Sequence, residues 1–168
     1  MKNIYLVGFM GSGKSTIGKL LSEKTGMKFV DIDQMIERHE RRKISEIFEK
    51  EGKAISDKRK RKCLKKFQRK KGIIVSTGGG LGADTGNMER MKNTGTVIWL
   101  DASLETILER TENDTERPLL KQPYERLKKL YEERKKVYRT ADIHINVNRK
   151  SPEEIVQEIM ESWKYTQA

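Results

Sequence analysis

Gly8-Phe9-Met10-Gly11-Ser12-Gly13-Lys14-Ser15 is the stretch that decides the fold. It follows Asn3–Val7 (Asn-Ile-Tyr-Leu-Val), a short β-rich run that ends on glycine and reads as a buried strand. It leads into residues 15–24, which read as a helix closed near Gly26. The octapeptide fits the pattern G-x-x-x-x-G-K-[ST], and a strand before it and a helix after it are the context that pattern needs. Chemistry explains the spacing. Glycines let main-chain N–H groups turn inward around phosphate oxygens. The helix N-terminus adds a favourable dipole. Lys14 reaches the β- and γ-phosphates, and the Ser15 hydroxyl is a ligand for Mg²⁺. Gly11, Ser12, Gly13, Lys14, Ser15 and Thr16 are therefore the candidate ATP contacts. The chain has no Asn-Lys-x-Asp to read guanine, and it is short for a motor. A small-molecule kinase suits the length.

Working outward, strands and helices alternate. Residues 28–33 read as a second strand, Ile73–Ser76 as a third, residues 96–100 as a fourth and residues 143–147 as a fifth. Helices are expected over 34–42, 45–51, 103–110 and 125–138, and after Ser151-Pro152-Glu153-Glu154, a good helix start. This order predicts an α/β three-layer sandwich with a five-stranded, mostly parallel sheet. Its ligand belongs beyond the carboxyl ends of the strands. Asp31 and Asp33 close the second strand. At i and i+2 they are expected to face the same way, one toward a metal-bound water and the other toward an attacking hydroxyl. If that strand borders the first, both adjoin the phosphates. Gly78-Gly79-Gly80 follows the third strand and allows close approach of backbone to a ligand. Residues 111–123 are polar, hold Pro118 and Pro123, and read as a lid carrying Arg117. Arg134, among many charges, reads as a surface residue.

The chain has 168 residues, 36% of them charged and 35% apolar, with a net charge of +11 and a mean hydropathy of -0.81. That length suggests one domain over residues 1–168. No run approaches the roughly 18 apolar residues of a membrane span. One cysteine, Cys63, and no signal-peptide pattern point to a reducing cytoplasm. The two histidines, His39 and His144, are too far apart in sequence for a zinc cluster. Residues 58–71 hold ten basic side chains and no acid, whereas the rest of the chain carries 26 basic and 25 acidic residues. Cys63, Leu64 and Phe67 give that segment a narrow apolar stripe, so it reads as a helix with a solvated basic face. Aromatics are too few to stack bases, and no nucleic-acid or membrane partner is expected.

Together these residues resemble the shikimate kinase family. The resemblance rests on residues 8–16, Asp31-Ile32-Asp33, residues 44–48 with Gly52, Gly78-Gly79-Gly80, Arg117-Pro118-Leu119-Leu120 and residues 134–138. It implies a P-loop fold related to nucleoside monophosphate kinases, an acceptor-binding region at about 33–62 and a lid at about 111–123. It implies ATP-dependent phosphorylation of shikimate to shikimate 3-phosphate, on the way to chorismate and aromatic amino acids, by a cytoplasmic monomer that uses Mg²⁺. By position, Lys14, Asp33 and Arg117 would be catalytic, and Ser15 and Asp31 would hold the metal. Asp33, Gly79, Gly80 and Arg134 would hold the acceptor, Arg134 at its carboxylate. Arg110 and Lys150 would flank the adenine, and Arg117 would close on the phosphates. The family pattern Gly-Glu-x-x-Phe-Arg-x-x-Glu is altered here to Gly52-Lys53-Ala54-Ile55-Ser56-Asp57-Lys58-Arg59-Lys60. Asp57 stands where the family's arginine grips the acceptor, and a carboxylate there would repel shikimate. Lys58 or Arg59 would compensate only if the helix rotated. This leaves two alternatives: another polyol or sugar acid such as gluconate as acceptor, or an inactive P-loop protein that binds polyanions through its basic helix.

Overall fold

The computed structural model describes residues 1–113 and 121–167. Arg117 and most of the expected lid lie outside these residues. The order is β1 (Asn3–Val7), α1 (Lys14–Thr25), β2 (Lys28–Asp31), α2 (Ile32–Glu40), α3 (Ile44–Glu51), α4 (Lys53–Gln68), β3 (Ile73–Ser76), α5 (Gly79–Gly82), α6 (Thr85–Thr94), β4 (Gly95–Asp101), α7 (Leu104–Arg110), α8 (Tyr124–Tyr138), β5 (Ile143–Asn146) and α9 (Pro152–Gln167).

The five strands form one sheet in the order β2-β3-β1-β4-β5, and every pairing is parallel. Helices cover both faces. Parallel strands sheathed on both sides must be apolar throughout. β1, at the centre, meets this: Ile4, Tyr5, Leu6 and Val7 are all fully buried. β5 lies at an edge and alternates instead, with Ile143 and Ile145 buried and His144 and Asn146 exposed. The one polar residue of β1, Asn3, is satisfied on both sides of its amide. Its Nδ2 donates to the Lys70 carbonyl at 2.8 Å, and its Oδ1 accepts from the Ile73 amide at 3.1 Å. That amide therefore joins the end of α4's connection to the start of β3.

The structure differs from the sequence expectation in three places. β2 stops at Asp31, because the Asp31 carboxylate accepts from the Gln34 amide at 3.1 Å and caps α2. Asp33 therefore lies in the first turn of a helix, not on a strand beside Asp31. β3 is inserted between β2 and β1, so the second strand does not border the first. The glycine triplet leads into a short helical turn, α5. α6 was not anticipated. Its buried Met88 and Met91 are sparse among polar neighbours, too weak a signal for a periodic pattern.

α4 takes the expected form of a thin buried stripe under a basic face. Leu64 and Phe67 are buried and Cys63 is partly so. Burial raises the Cys63 thiol above its ordinary pKa. Among the described residues, no helix is long and apolar enough to cross a membrane.

Candidate functional site

The carboxyl ends of β1, β2 and β3 open onto one cavity of about 740 Å³. Its phosphate end is the turn between β1 and α1. Gly8 there has φ 152°, and a Cβ on it would lie 2.8 Å from both the Leu100 carbonyl oxygen and Ser12 Oγ. Only glycine lets the chain leave the sheet this way. Lys14 Nζ is folded into the turn and donates to the Gly8 carbonyl at 2.8 Å and the Phe9 carbonyl at 3.1 Å. Ser12 Oγ is buried and makes no hydrogen bond among the described residues. A glycine-rich turn at a helix start, a lysine folded into it and an orphaned buried hydroxyl fit a phosphate chain.

Ser15, in the first turn of α1, donates from Oγ to Asp31 Oδ2 at 2.6 Å. The two oxygens meet although β1 and β2 are not neighbours, because α1 packs over β2 and β3. A hydroxyl beside a carboxylate is the hard-oxygen donor set that Mg²⁺ takes when phosphates and waters complete its shell. Among the described residues no cluster of three acids, histidines or cysteines could hold a metal by itself. Thr16 is exposed one residue further along α1. Arg110 reaches back across the turn, its Nη1 3.5 Å from the Ser12 carbonyl oxygen and its Nη2 3.5 Å from that of Val147. Lys150 is on the loop after β5, but its Nζ is paired with Glu158 at 2.9 Å.

The acceptor end is built by α2, α4, α5 and α8. Asp33 lies against the glycine triplet: a Cβ on Gly78 would come within 3.1 Å of its Oδ1 and 3.2 Å of its Oδ2. Gly78 is what lets the carboxylate lie there. Arg134 is not the surface residue its neighbours suggested. α8 lays its guanidinium over the triplet, where Nη1 would be 3.0 Å from a Cβ on Gly79 and Nη2 3.3 Å from one on Gly80. Its Cζ is also 5.6 Å from the centre of the Phe9 ring, which packs edge-on against Tyr131. Tyr131 donates to the Ala102 carbonyl at 2.9 Å, and burial pushes its phenol up to about 12, so it stays a donor. Tyr138 donates to the Gly79 carbonyl at 2.6 Å. Burial raises this phenol as well. One helix thus fixes both the glycine backbone and the arginine above it.

Asp57 lines the cavity. Its company changes what an anion meets. Lys53, Lys60 and Arg61 stand four residues before, three after and four after it, positions that share one face of a helix. Lys53 and Lys60 line the same cavity, and Arg61 lines the adjoining recess with Asp57 and Arg134. The face is net positive despite its acid. Arg59 does not compensate, because it is engaged by Glu40 and Glu51, and Arg42 pairs with Glu51 too. Lys53 and Lys60 were not picked out from the sequence: Lys60 vanishes into the basic run at 58–71, and Lys53 stands alone before it. Their three- and four-residue spacing from Asp57 is the signal that could have found them.

A strand, a phosphate-binding turn and a helix, on a sheet with β1 between β3 and β4 and with an acceptor cavity alongside, define a P-loop kinase. The shikimate kinase family model matches residues 10–164. A shikimate kinase from Sulfurihydrogenibium sp. is 58% identical over 160 residues, covering 95% of this chain and 96% of that one. Among solved structures, shikimate kinase from Aquifex aeolicus superposes with a TM-score of 0.89 at 44% identity, covering 98% of each chain. Shikimate kinase from Acinetobacter baumannii in complex with shikimate gives 0.93 at 36% identity, covering 99% of this chain and 94% of that one. The chain belongs to the shikimate kinase family.

Proposed function

We propose that this protein transfers the γ-phosphoryl group of ATP to the 3-hydroxyl of shikimate, as a cytoplasmic monomer. One observation carries the reading: a single cavity joins Ser15 and Asp31 to Asp33, Gly80 and Arg134. A phosphate donor and a hydroxyl acceptor held there face each other without crossing solvent, the arrangement that in-line transfer needs.

Gly11, Ser12, Gly13 and Thr16 bind the nucleotide's phosphates, and Lys14 offsets the charge that spreads over the transferring group. Arg110 and Lys150 border the base. Asp33 accepts a hydrogen bond from the acceptor hydroxyl, takes its proton as the new O–P bond forms, and thereby raises the oxygen's nucleophilicity. Gly79 and Gly80 hold the acceptor by main chain. Arg134 pairs with its carboxylate, with the positive face of α4 opposite. Ser15 and Asp31 would hold Mg²⁺, which would supply charge neutralisation on the phosphates. Arg117, in the sequence Arg117-Pro118-Leu119-Leu120, is kept as the catalytic arginine that the family resemblance implies. The large apolar side chains left exposed, Ile55, Tyr124 and Tyr165 among them, are on different elements, which favours a monomer. Gluconate and polyanion binding are not favoured, since the relatives reported above are shikimate kinases.

The test is shikimate-dependent ADP release, with gluconate as the competing acceptor. Lys14→Ala is expected to abolish turnover and keep the melting temperature of the parent. Turnover of gluconate but not shikimate, or near-parental kcat in Lys14→Ala, would refute the proposal.

A further inference from the structure

The acceptor site contains a lysine to which the phosphate-transfer scheme gives no role beyond its share in the positive face of α4. Lys60 Nζ is 3.6 Å from Asp33 Oδ1, and the Lys60 side chain is only 14% exposed. Asp33 Oδ1 is itself buried and accepts no hydrogen bond among the described residues. Lysines are almost never this covered unless something holds the charge. The stem of Lys60 crosses from α4 toward the first turn of α2, and its ammonium meets the carboxylate that lies on Gly78. We propose that Lys60 is a positioning residue for Asp33: the ammonium draws Oδ1 toward α4 and so leaves Oδ2 to face the acceptor hydroxyl. This rests on the role given to Asp33 above.

The physical argument is one of degeneracy. A carboxylate at a helix start turns freely about its last bond, whose torsion is broad and two-fold. A general base needs its acceptor oxygen within hydrogen-bond reach of the proton it removes. The glycine wall restricts where the group lies, but a Cβ there would stand almost equally far from the two oxygens and does not choose between them. Lys60 does choose, because it approaches Oδ1. Asp57, three residues earlier on the same face, lines the same cavity as Asp33, so the Lys60 charge also offsets a second acid there.

Lys60→Met keeps the length and packing of the stem and removes the charge. It is expected to lower kcat about 10-fold while leaving the KM for MgATP within about twofold, and Lys60→Arg is expected to recover most of the loss. The decisive measurement is a double-mutant cycle read in kcat. In an Asp33→Asn background Lys60→Met should have almost no further effect, since there is no base left to orient. A role confined to folding would lower kcat equally in both backgrounds, and that equality would overturn the proposal. So would a Lys60→Met enzyme with parental kcat. Calorimetric MgATP binding and melting temperature, measured on each variant, show whether it is folded. If the parent releases ADP on adding shikimate but Lys60→Met matches it, only the inference about Lys60 falls. If the parent does not respond to shikimate, the proposed acceptor falls and the inference with it.

Discussion

Asp33→Asn separates chemistry from binding at this site. Asparagine has the shape of aspartate, so it fits the slot against Gly78 where a Cβ would stand 3.1 and 3.2 Å from the two carboxylate oxygens. What it loses is the charge and the ability to take a proton. General-base catalysis contributes typically about 10²–10⁴-fold, so kcat should fall by that factor, or about 3–5 kcal/mol in activation free energy. A second consequence follows from Lys60, whose side chain is 14% exposed and which faces Asp33 at 3.6 Å. Without its counter-ion this ammonium is left poorly solvated, at a cost on the order of 1–3 kcal/mol. Since a domain of this size holds roughly 5–15 kcal/mol of stability, the variant should still fold, with a lower melting temperature. MgATP affinity should not change, because the Ser15–Asp31 contact at 2.6 Å is untouched. The assay is initial-rate ADP release at saturating shikimate, with calorimetry for MgATP. A variant that binds shikimate and turns over within about threefold of the parent would refute the assignment of Asp33 as base.

Gly78→Ala is expected to keep stability within about 1 kcal/mol, since its φ of -64° and ψ of 155° suit alanine, yet to lower kcat about 10-fold by pushing Asp33 off the wall. Thermal melts and initial rates check this, and unchanged kcat would count against the packing argument. Hydrogen bonding to Arg59 holds Glu51 below the ordinary carboxylate pKa of 4.5, with Arg42 adding to the effect. A carboxylate whose pKa is lowered by folding adds stability that is complete above its unfolded value and lost as pH falls through the folded one. Urea midpoints of the parent should therefore drop more steeply below about pH 4.5 than those of Glu51→Gln; parallel curves would show that the pair contributes nothing.

Much of this was legible without coordinates, and for local reasons. β1, the phosphate turn and α1 follow from a strand run, positions that only glycine fills well and a helix, all contiguous. β5 could be read from its alternation, because an edge strand with one wet face has a period of two. Ile73–Ser76 could be read as a buried strand from its apolar run. Asp31 shows where local reading stops. A strand end and a helix cap can both be written Asp-Ile-Asp, and the choice was made by the Gln34 amide and the Ser15 hydroxyl, which meet the same carboxylate. Arg134 was hidden for a similar reason. In a helix dense with charge nothing local marks the one guanidinium that reaches over a glycine backbone.

By itself, then, the order of residues determined the nucleotide half of the protein, since an amide nest needs only neighbours in the chain. The acceptor half was decided by the packed molecule. Asp33 comes from one helix, Lys60 and Asp57 from another and Arg134 from a third, separated by up to 101 positions in the chain. Whether such charges attract, cancel or repel a ligand depends on distances of a few ångströms that exist only once the sheet has brought the helices together.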